Sequence, residues 1–273
     1  MVALPTPTWL IGCGNMAGAM LDGWRSGGVD LSGAVAIRPS GDATEGVRTV
    51  TSMAEAGEPP KLAILGFKPQ KLDEVAPEFG RLLSGETVVV SILAGVEAAS
   101  LRSRFLRARS IVRAMPNLPV SIRRGVIALY SDDADDALRA QLSELAAMLG
   151  YALWTNSEAT LAAIGSVAGA GPAYSARFIA ALAKAGQRRG LPESLAATIA
   201  LETVLGTAWL GAASGASPDA IARRVASPNG TTEAGLAVLD PQLDDLVAAT
   251  IDAAARRGAE LAEEAEQAIA KRP

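Results

Sequence analysis

Histidine is absent from this 273-residue sequence, and cysteine occurs once, as Cys13. Without an imidazole, the chain has no Ser-His-Asp or Cys-His machinery and no histidine ligand for a metal ion. A single thiol allows no intrachain disulfide and provides no thiolate cluster for zinc or iron–sulfur. These absences exclude the commonest hydrolase mechanisms and predict that the protein has no metal site.

An excess of positive charge is also missing. The sequence has 25 Lys and Arg residues against 29 Asp and Glu, which gives a net charge of −4. Nucleic-acid-binding surfaces and polybasic membrane faces need clustered positive charge, so we expect neither kind of partner.

Targeting and membrane signals are weak. The first charged side chain is Asp22, so the N-terminal stretch lacks the basic region of a signal peptide. The uncharged window 159–176 is interrupted by glycines and by Pro172, which favours a turn between helices over a membrane span. We therefore expect a cytoplasmic protein.

Short β-branched runs alternate with helical patterns in the first half of the chain. The runs expected to form buried strands are residues 9–11, 34–37, 62–65, 88–90, 110–112 and 126–130. Continuous apolar strands that alternate with helices indicate a mostly parallel sheet covered on both faces. From about Thr155 onward, Ala, Leu, Glu and Arg dominate, which favours helices. The predicted fold class is α/β over residues 1–155, followed by an all-α domain over residues 156–273.

A glycine-rich turn follows the first predicted strand. Gly12 and Gly14 begin the pattern G-x-G-x-x-A, which ends at Ala17 and leads into a predicted helix through Arg25. In this context the first glycine permits a tight turn, and the second lets a pyrophosphate approach the backbone. The helix N-terminus offers free N–H groups and the positive end of its dipole to the phosphates. The pattern predicts a Rossmann-type dinucleotide-binding domain, with a purely structural turn as the alternative.

The residues after the second predicted strand bear on which dinucleotide binds. Ile37 is followed by Arg38 and Ser40, and no carboxylate occurs until Asp42. An acidic residue at the strand end would bind the ribose 2′-hydroxyl of NAD, whereas Arg can pair bidentately with the 2′-phosphate of NADP. NADPH is therefore the expected cofactor, and NADH the weaker one. A solvated loop charge is the alternative role for Arg38.

Five further segments follow predicted strands or open predicted helices. They are GFKPQ at 66–70, SILAGV at 91–96, RAMPNLP at 113–119, AGAGPAY at 168–174 and SPNGTT at 227–232. The first three come just after the carboxyl ends of strands, where open α/β sheets bind ligands. Taken together and in this order, the segments resemble those of the pyrroline-5-carboxylate reductase family over nearly the whole chain.

This resemblance implies a Rossmann domain, a helical dimerisation domain and NADPH-dependent reduction of the cyclic imine 1-pyrroline-5-carboxylate to L-proline. It also implies a homodimer, in which the cofactor of one subunit meets the loop 227–232 of the partner subunit; further assembly of dimers is left open. The residues implied for the pyrophosphate are Ile11, Gly12, Cys13, Gly14, Asn15 and Met16, and those for the adenosine end are Arg38 and Ser40. Those implied for the nicotinamide side are Lys68, Pro69, Leu93, Ala94, Gly95 and Asn117, and those for the substrate are Ser227, Gly230, Thr231 and Thr232.

Three positions depart from the usual motifs of the family. Ala168 and Ala170 stand where serines are usual, and Asn229 stands where a glycine is usual. Asn tolerates a left-handed backbone, so we expect the turn at 229 to form. The missing hydroxyls leave open a divergent paralogue that reduces another cyclic imine acid, and a non-catalytic NADP-binding sensor is a further alternative. The β-hydroxyacid dehydrogenase family relies on a catalytic lysine early in the first helix of its second domain. No lysine lies between Gly171 and Lys184 here, so that family is disfavoured.

Reduction of a C=N bond suits a chain without histidine. An imine is much more basic than a ketone, so a useful fraction arrives protonated near neutral pH, and a hydroxyl or an ordered water is enough to orient the proton. We expect Thr232 to be the catalytic residue, hydrogen-bonded to the imine nitrogen, and the helix start around 227–231 to bind the carboxylate. The alternative is that Ser227 or Thr231 only caps the helix. Lys68 is expected to position the cofactor rather than to act as a general acid.

Overall fold

A sheet of eight strands organises the computed structural model, which describes residues 2–270. The strands are β1 (Thr8–Ile11), β2 (Ala34–Ile37), β3 (Arg48–Val50), β4 (Leu62–Leu65), β5 (Val88–Ser91), β6 (Ser110–Pro116), β7 (Gly125–Tyr130) and β8 (Gly150–Trp154). They lie in the order β3-β2-β1-β4-β5-β6-β7-β8, and every neighbouring pair is parallel except β6 and β7. The strand order reverses between β1 and β4, so their carboxyl ends border the crevice in which this type of sheet binds ligands.

Side chains of the central strands alternate between two apolar cores, one on each face of the sheet. On β4, Leu62 and Ile64 belong to one core, whereas Ala63 and Leu65 belong to the other. All four are at most 2% exposed. Burial on both faces requires a continuous apolar run rather than alternation, which is what the sequence shows at this strand.

Helices cover both faces of the sheet and make up most of the chain after it. They are α1 (Asn15–Ser26), α2 (Leu72–Leu82), α3 (Ala98–Arg104), α4 (Asp136–Ala147), α5 (Glu158–Ile164), α6 (Gly171–Arg188), α7 (Glu193–Ser214), α8 (Pro218–Val225) and α9 (Thr231–Ala270). On one face, the buried indole of Trp24 in α1 donates to the Leu145 carbonyl of α4 at 2.8 Å. On the other face, Phe79 of α2 meets Phe105 edge to face, with ring centroids 5.3 Å apart. An α/β region followed by a mostly helical one confirms the predicted fold class.

Two strands, β3 and β8, escape the sequence-based prediction. β3 is three residues long and begins with the exposed Arg48, so it contains no apolar run. β8 begins at Gly150, whose φ is 143°, and its other residues, Tyr-Ala-Leu-Trp, include no β-branched side chain. Both lie at the edges of the sheet. Edge strands bury less apolar surface than central ones, which leaves them a weaker sequence signal.

The chain divides into two compact units. Of the described residues, one unit comprises residues 2–170 with residues 254–270, and the other comprises Gly171–Ala253. The boundary expected at residue 155 falls directly after β8, inside the first unit. Residues 271–273 of the expected all-α domain lie outside the described residues. In the second unit, the buried side chains of α6 and α7 are alanines, Ala183, Ala196 and Ala200, so these helices approach each other closely.

Helix α7 carries an unusual amount of exposed apolar surface. Among residues 2–270 it is the one helix that is long and apolar enough to cross a membrane, judged by length and composition, with a mean hydropathy of 1.4. Only 11% of this apolar window is buried. Leu205 and Trp209 are 45% and 51% exposed. Contiguous apolar surface of this kind marks a place where another surface binds.

Candidate cofactor and substrate site

The glycine turn after β1 has the geometry that a bound pyrophosphate requires. Gly12 has φ +76°, and its N–H donates to the Ile37 carbonyl at 3.0 Å, which ties the turn to β2. Gly14 immediately precedes α1, and a Cβ built on it would have the Gly66 carbonyl oxygen, 4.0 Å away, as its nearest neighbour. The open space at Gly14 lets a phosphate reach the backbone and the N-terminal N–H groups of α1. The strand, turn and helix therefore form as predicted, and they fit a dinucleotide.

A cleft of about 860 Å³ opens beside this turn, at the carboxyl ends of the strands. The cofactor residues expected from the sequence that line it are Ile11, Gly12, Cys13, Gly14, Asn15, Arg38, Ser40 and Lys68. Phe67, from the motif GFKPQ, also lines the cleft, as do residues that the sequence did not single out: Thr51, Ser52, Met53, Lys71, Glu74, Val75 and Glu78. Thr51 to Met53 directly follow β3, so recognising that short strand would have pointed to them. The volume lies in the range of small-molecule and cofactor sites.

The loop after β2 holds the charged end of the cleft. The Arg38 side chain is 24% exposed, and its guanidinium donates to the Asp42 carboxylate at 3.2 Å. The same carboxylate oxygen accepts the Ser40 hydroxyl at 2.7 Å. Arg38 also donates to the Ala43 carbonyl at 3.3 Å. Arg38 and Ser40 thus both point their donors at one anionic group, as two residues that read a phosphate must do.

Cys13 lies inside the glycine turn but is only 6% exposed. Burial raises the pKa of its thiol above the ordinary value, against the smaller opposing effects of Thr44 and Arg38. The thiol is therefore neutral at physiological pH and acts as a small apolar side chain of the core.

The residues expected on the nicotinamide side lie past the ends of β4, β5 and β6. Pro69 begins a 3₁₀ turn, Pro69–Lys71, directly after Lys68. Leu93 is buried in the apolar core, so only its backbone is available to a ligand, and Gly95 has φ +74°. Met16, Pro69, Leu93, Ala94, Gly95 and Asn117 are not part of the lining of the cleft.

Asn117 has a structural task of its own. Its side-chain carbonyl accepts the Val126 N–H at 2.8 Å, and its amide donates to the Ala168 carbonyl at 2.9 Å. The side chain is 6% exposed. It therefore fastens the end of β6 to β7 and to the π-helical turn Gly165–Gly169, in which Ala168 replaces a serine of the family motif.

A buried ion pair beside this region was not predicted. Arg113 of β6 donates to Glu158 of α5 at 2.5 Å, with the two side chains 8% and 25% exposed. The same Glu158 oxygen accepts the N–H of Ala98, the first residue of α3, at 2.9 Å. One carboxylate thus joins a strand and two helix starts, close in sequence to the loop Leu93 to Gly95.

The segment expected to bind substrate immediately precedes α9. Asn229 has φ 59°, the left-handed backbone that replacement of a glycine requires, and its N–H donates to the Glu233 carboxylate at 2.7 Å. Gly230 has no room for a Cβ, which would lie 2.4 Å from the Ser227 hydroxyl oxygen. The turn therefore survives the substitution at 229, as expected.

Thr231 and Thr232 open α9. Thr231 is exposed, whereas Thr232 is half-buried. Thr232 lines an apolar groove of about 670 Å³, whose other walls include Phe178 of α6 and Leu236 of α9. The helix start supplies free N–H groups for a carboxylate, and the groove supplies an apolar surface.

Metal-binding clusters are lacking in the described part of the chain, residues 2–270. No group of three or more Cys, Asp or Glu side chains is arranged there to hold an ion.

Two known protein families match this sequence, one in each half of the chain. The family described as pyrroline-5-carboxylate reductase dimerisation matches residues 158–261. The family described as NADP oxidoreductase, coenzyme F420-dependent, matches residues 9–95.

Whole proteins are similar as well. The chain is 36% identical to the pyrroline-5-carboxylate reductase of Pseudomonas aeruginosa over 265 aligned residues. The alignment covers 93% of this chain and 96% of the relative. The solved structure of a pyrroline-5-carboxylate reductase from Coxiella burnetii has a TM-score of 0.85 at 29% identity, over 94% of this chain and 99% of that one. The structure of Plasmodium falciparum pyrroline carboxylate reductase with NADP bound shares the fold, with a TM-score of 0.85 at 21% identity over 94% and 98% of the two chains. The chain belongs to the pyrroline-5-carboxylate reductase family.

Proposed function

We propose that this protein is an oxidoreductase that reduces 1-pyrroline-5-carboxylate to L-proline, the last step of proline biosynthesis, with NADPH as reductant. The observation that carries the proposal is the cleft at the strand ends, in which the glycine turn and Arg38 lie together, in a chain of this family. A relative of the same fold has been solved with NADP bound, which supports the choice of cofactor. NADPH, when bound, supplies the hydride that goes to the imine carbon.

The chain's own residues bind and orient the two reactants. The turn from Ile11 to Met16 holds the pyrophosphate, and Arg38 with Ser40 holds the 2′-phosphate. Lys68 and Pro69, with Leu93 to Gly95 and Asn117, are assigned to the nicotinamide side.

The loop before α9 is assigned to the substrate. Free N–H groups at the start of α9 bind its carboxylate, with Ser227 and Gly230 in the loop and Thr231 as the first residue of the helix. The Thr232 hydroxyl hydrogen-bonds the imine nitrogen and holds its proton in place during reduction. No stronger acid is needed, because a protonated imine arrives with the proton already in place.

Replacement of Arg38 by Ala is expected to raise the Michaelis constant for NADPH at least about tenfold, because a charge-assisted bidentate contact to the 2′-phosphate is lost. The constant for NADH should change less than about twofold, since NADH has no phosphate at that position. Steady-state kinetics with both cofactors measures the two values. Arg25→Ala is the control, because Arg25 pairs with Asp22 and Glu45. Equal effects of Arg38→Ala on both cofactors would refute its assignment.

Replacement of Thr232 by Ala is expected to lower turnover at least tenfold, about 1.4 kcal/mol in the barrier, because the imine nitrogen loses its hydrogen-bond partner. Thr232→Ser, which keeps the hydroxyl, should retain most of the activity. Thr250→Ala is a matched control in the same helix, where the hydroxyl donates to the Leu246 carbonyl at 2.7 Å. NADPH binding, followed by fluorescence titration, should be unchanged in every variant. A fully active Thr232→Ala protein would remove this residue from the mechanism.

The decisive assay follows NADPH absorbance at 340 nm with pyrroline-5-carboxylate and then with six-membered cyclic imine acids. Oxidation of NADPH with the five-membered ring supports the proposal. A preference for six-membered rings selects the divergent paralogue instead. Tight NADPH binding without turnover of either substrate selects the non-catalytic sensor.

Assembly and location complete the proposal. We assign NADP binding to residues 1–155 and dimerisation with substrate binding to residues 156–273, a division supported by the dimerisation family's match at 158–261. A homodimer would cover the exposed apolar surface of α7, and dimers could assemble further. Sedimentation as a 27.9 kDa monomer would contradict the dimer. A cytoplasmic location is proposed as well, and recovery of the protein in a membrane fraction of the cell would contradict it.

A further inference from the structure

We propose that Asp42 sets how strongly this site prefers NADPH over NADH, because its carboxylate engages the two donors that a 2′-phosphate would use. The inference rests on the proposed cofactor site and deepens it. Arg38 and Ser40 line the cleft, and Asp42 lies just beyond them on the same loop.

The contacts of one carboxylate oxygen carry the argument. Oδ2 of Asp42 accepts from the Arg38 guanidinium at 3.2 Å and from the Ser40 hydroxyl at 2.7 Å. A backbone contact closes the loop, since the Gly41 N–H donates to the Arg38 carbonyl at 2.9 Å. The loop therefore presents an internal anion to the same Arg and Ser pair that would bind a phosphate.

The negative charge of Asp42 competes with that of NADPH. A 2′-phosphate is anionic and needs the donors that Asp42 holds, so the carboxylate must leave Arg38 or repel the phosphate. Departure is feasible, because the Asp42 side chain is 67% exposed while that of Arg38 is 24% exposed. This competition therefore lowers the affinity for NADPH, the cofactor that carries the 2′-phosphate.

For NADH the same carboxylate is favourable. The adenosine ribose of NADH carries a 2′-hydroxyl, which can donate a hydrogen bond to an acidic side chain near the end of the second strand. Asp42 is thus a specificity-determining residue that moderates an NADPH preference set by Arg38 and leaves NADH usable.

The experiment compares Asp42→Asn with Glu45→Gln in the otherwise intact protein. Asn keeps the shape and an acceptor oxygen but removes the charge. Glu45 is the matched control, because it lies on the same loop and is 83% exposed, yet it pairs with Arg25. Isothermal titration measures binding of adenosine 2′,5′-bisphosphate and of 5′-AMP, two probes that differ by the 2′-phosphate.

We expect Asp42→Asn to tighten binding of the bisphosphate about fivefold relative to both the wild type and Glu45→Gln, and not to tighten binding of 5′-AMP. In steady-state assays the ratio of the Michaelis constants for NADH and NADPH should rise by a similar factor. Unchanged or weaker bisphosphate binding in Asp42→Asn, or an equal gain in Glu45→Gln, would overturn the inference. The binding data require no turnover, so a protein inactive on pyrroline-5-carboxylate that shows the gain refutes the proposed reaction alone.

Discussion

Replacement of Glu158 by Ala is expected to lower the free energy of unfolding by about 3 kcal/mol. The change leaves the Arg113 guanidinium buried and removes the carboxylate that pairs with it. Arg113 is 8% exposed at its side chain and lies 2.5 Å from Glu158. A buried charge that loses its partner keeps the cost of desolvation and loses the attraction that offset it. The N–H of Ala98 loses its acceptor in the same change. Urea denaturation of both proteins measures the difference.

Glu193→Ala provides the control for this measurement. Glu193 is the first residue of α7, as Glu158 is of α5, and it is exposed. Its loss removes only the favourable interaction of a carboxylate with the helix dipole, about 0.5 kcal/mol. The difference between the two variants therefore reports the contacts with Arg113 and Ala98. A loss in Glu158→Ala no larger than that in Glu193→Ala would show that the ion pair contributes nothing to stability.

The central strands and the glycine turn could be predicted because their signals are local. β4 is a run of four apolar residues buried on both faces, and Gly12 and Gly14 come directly after such a run. Arg38, which lines the cleft, was predicted as a cofactor residue in the same way, from its place after β2. Residues that line the cleft from a turn or a strand end lie only a few positions after an apolar run, and that run predicts where they are. β3 and β8 lack such a pattern because edge strands bury little.

Contacts between distant parts of the sequence were not predicted, and they connect β6 to the helical segments that follow the sheet. Arg113 and Glu158 are 45 positions apart, and Asn117 and Ala168 are 51 apart. Sequence spacing carries no information on pairs of this kind until the fold brings them together. Asn117 illustrates the difference: its motif was recognised, but its amide proves to be committed to the backbone of β7 and of the turn at Ala168.

Replacement of Gly12 by Ala is expected to destabilise the protein by about 3 kcal/mol, whereas Gly14→Ala should change stability by less than about 0.5 kcal/mol. Gly12 has φ +76°, and a Cβ there would lie 2.8 Å from the backbone nitrogen of Phe67. Left-handed strain and overpacking therefore add. Gly14 has φ −84°, which any residue adopts, and a Cβ there would lie 4.0 Å from its nearest neighbour, the Gly66 carbonyl oxygen. Urea denaturation measures both variants.

NADPH binding should reveal the role of Gly14, whose replacement by Ala leaves the stability almost unchanged. Gly14→Ala keeps the fold, but its methyl group occupies space in the cleft at the N-terminus of α1, so the dissociation constant for NADPH should rise at least about tenfold. Fluorescence titration with NADPH measures this constant on a protein whose unfolding is unchanged. These results would show that Gly12 maintains the turn and that Gly14 keeps it open to the pyrophosphate. Wild-type NADPH affinity in Gly14→Ala would place the pyrophosphate elsewhere, and wild-type stability in Gly12→Ala would mean that the turn yields without strain.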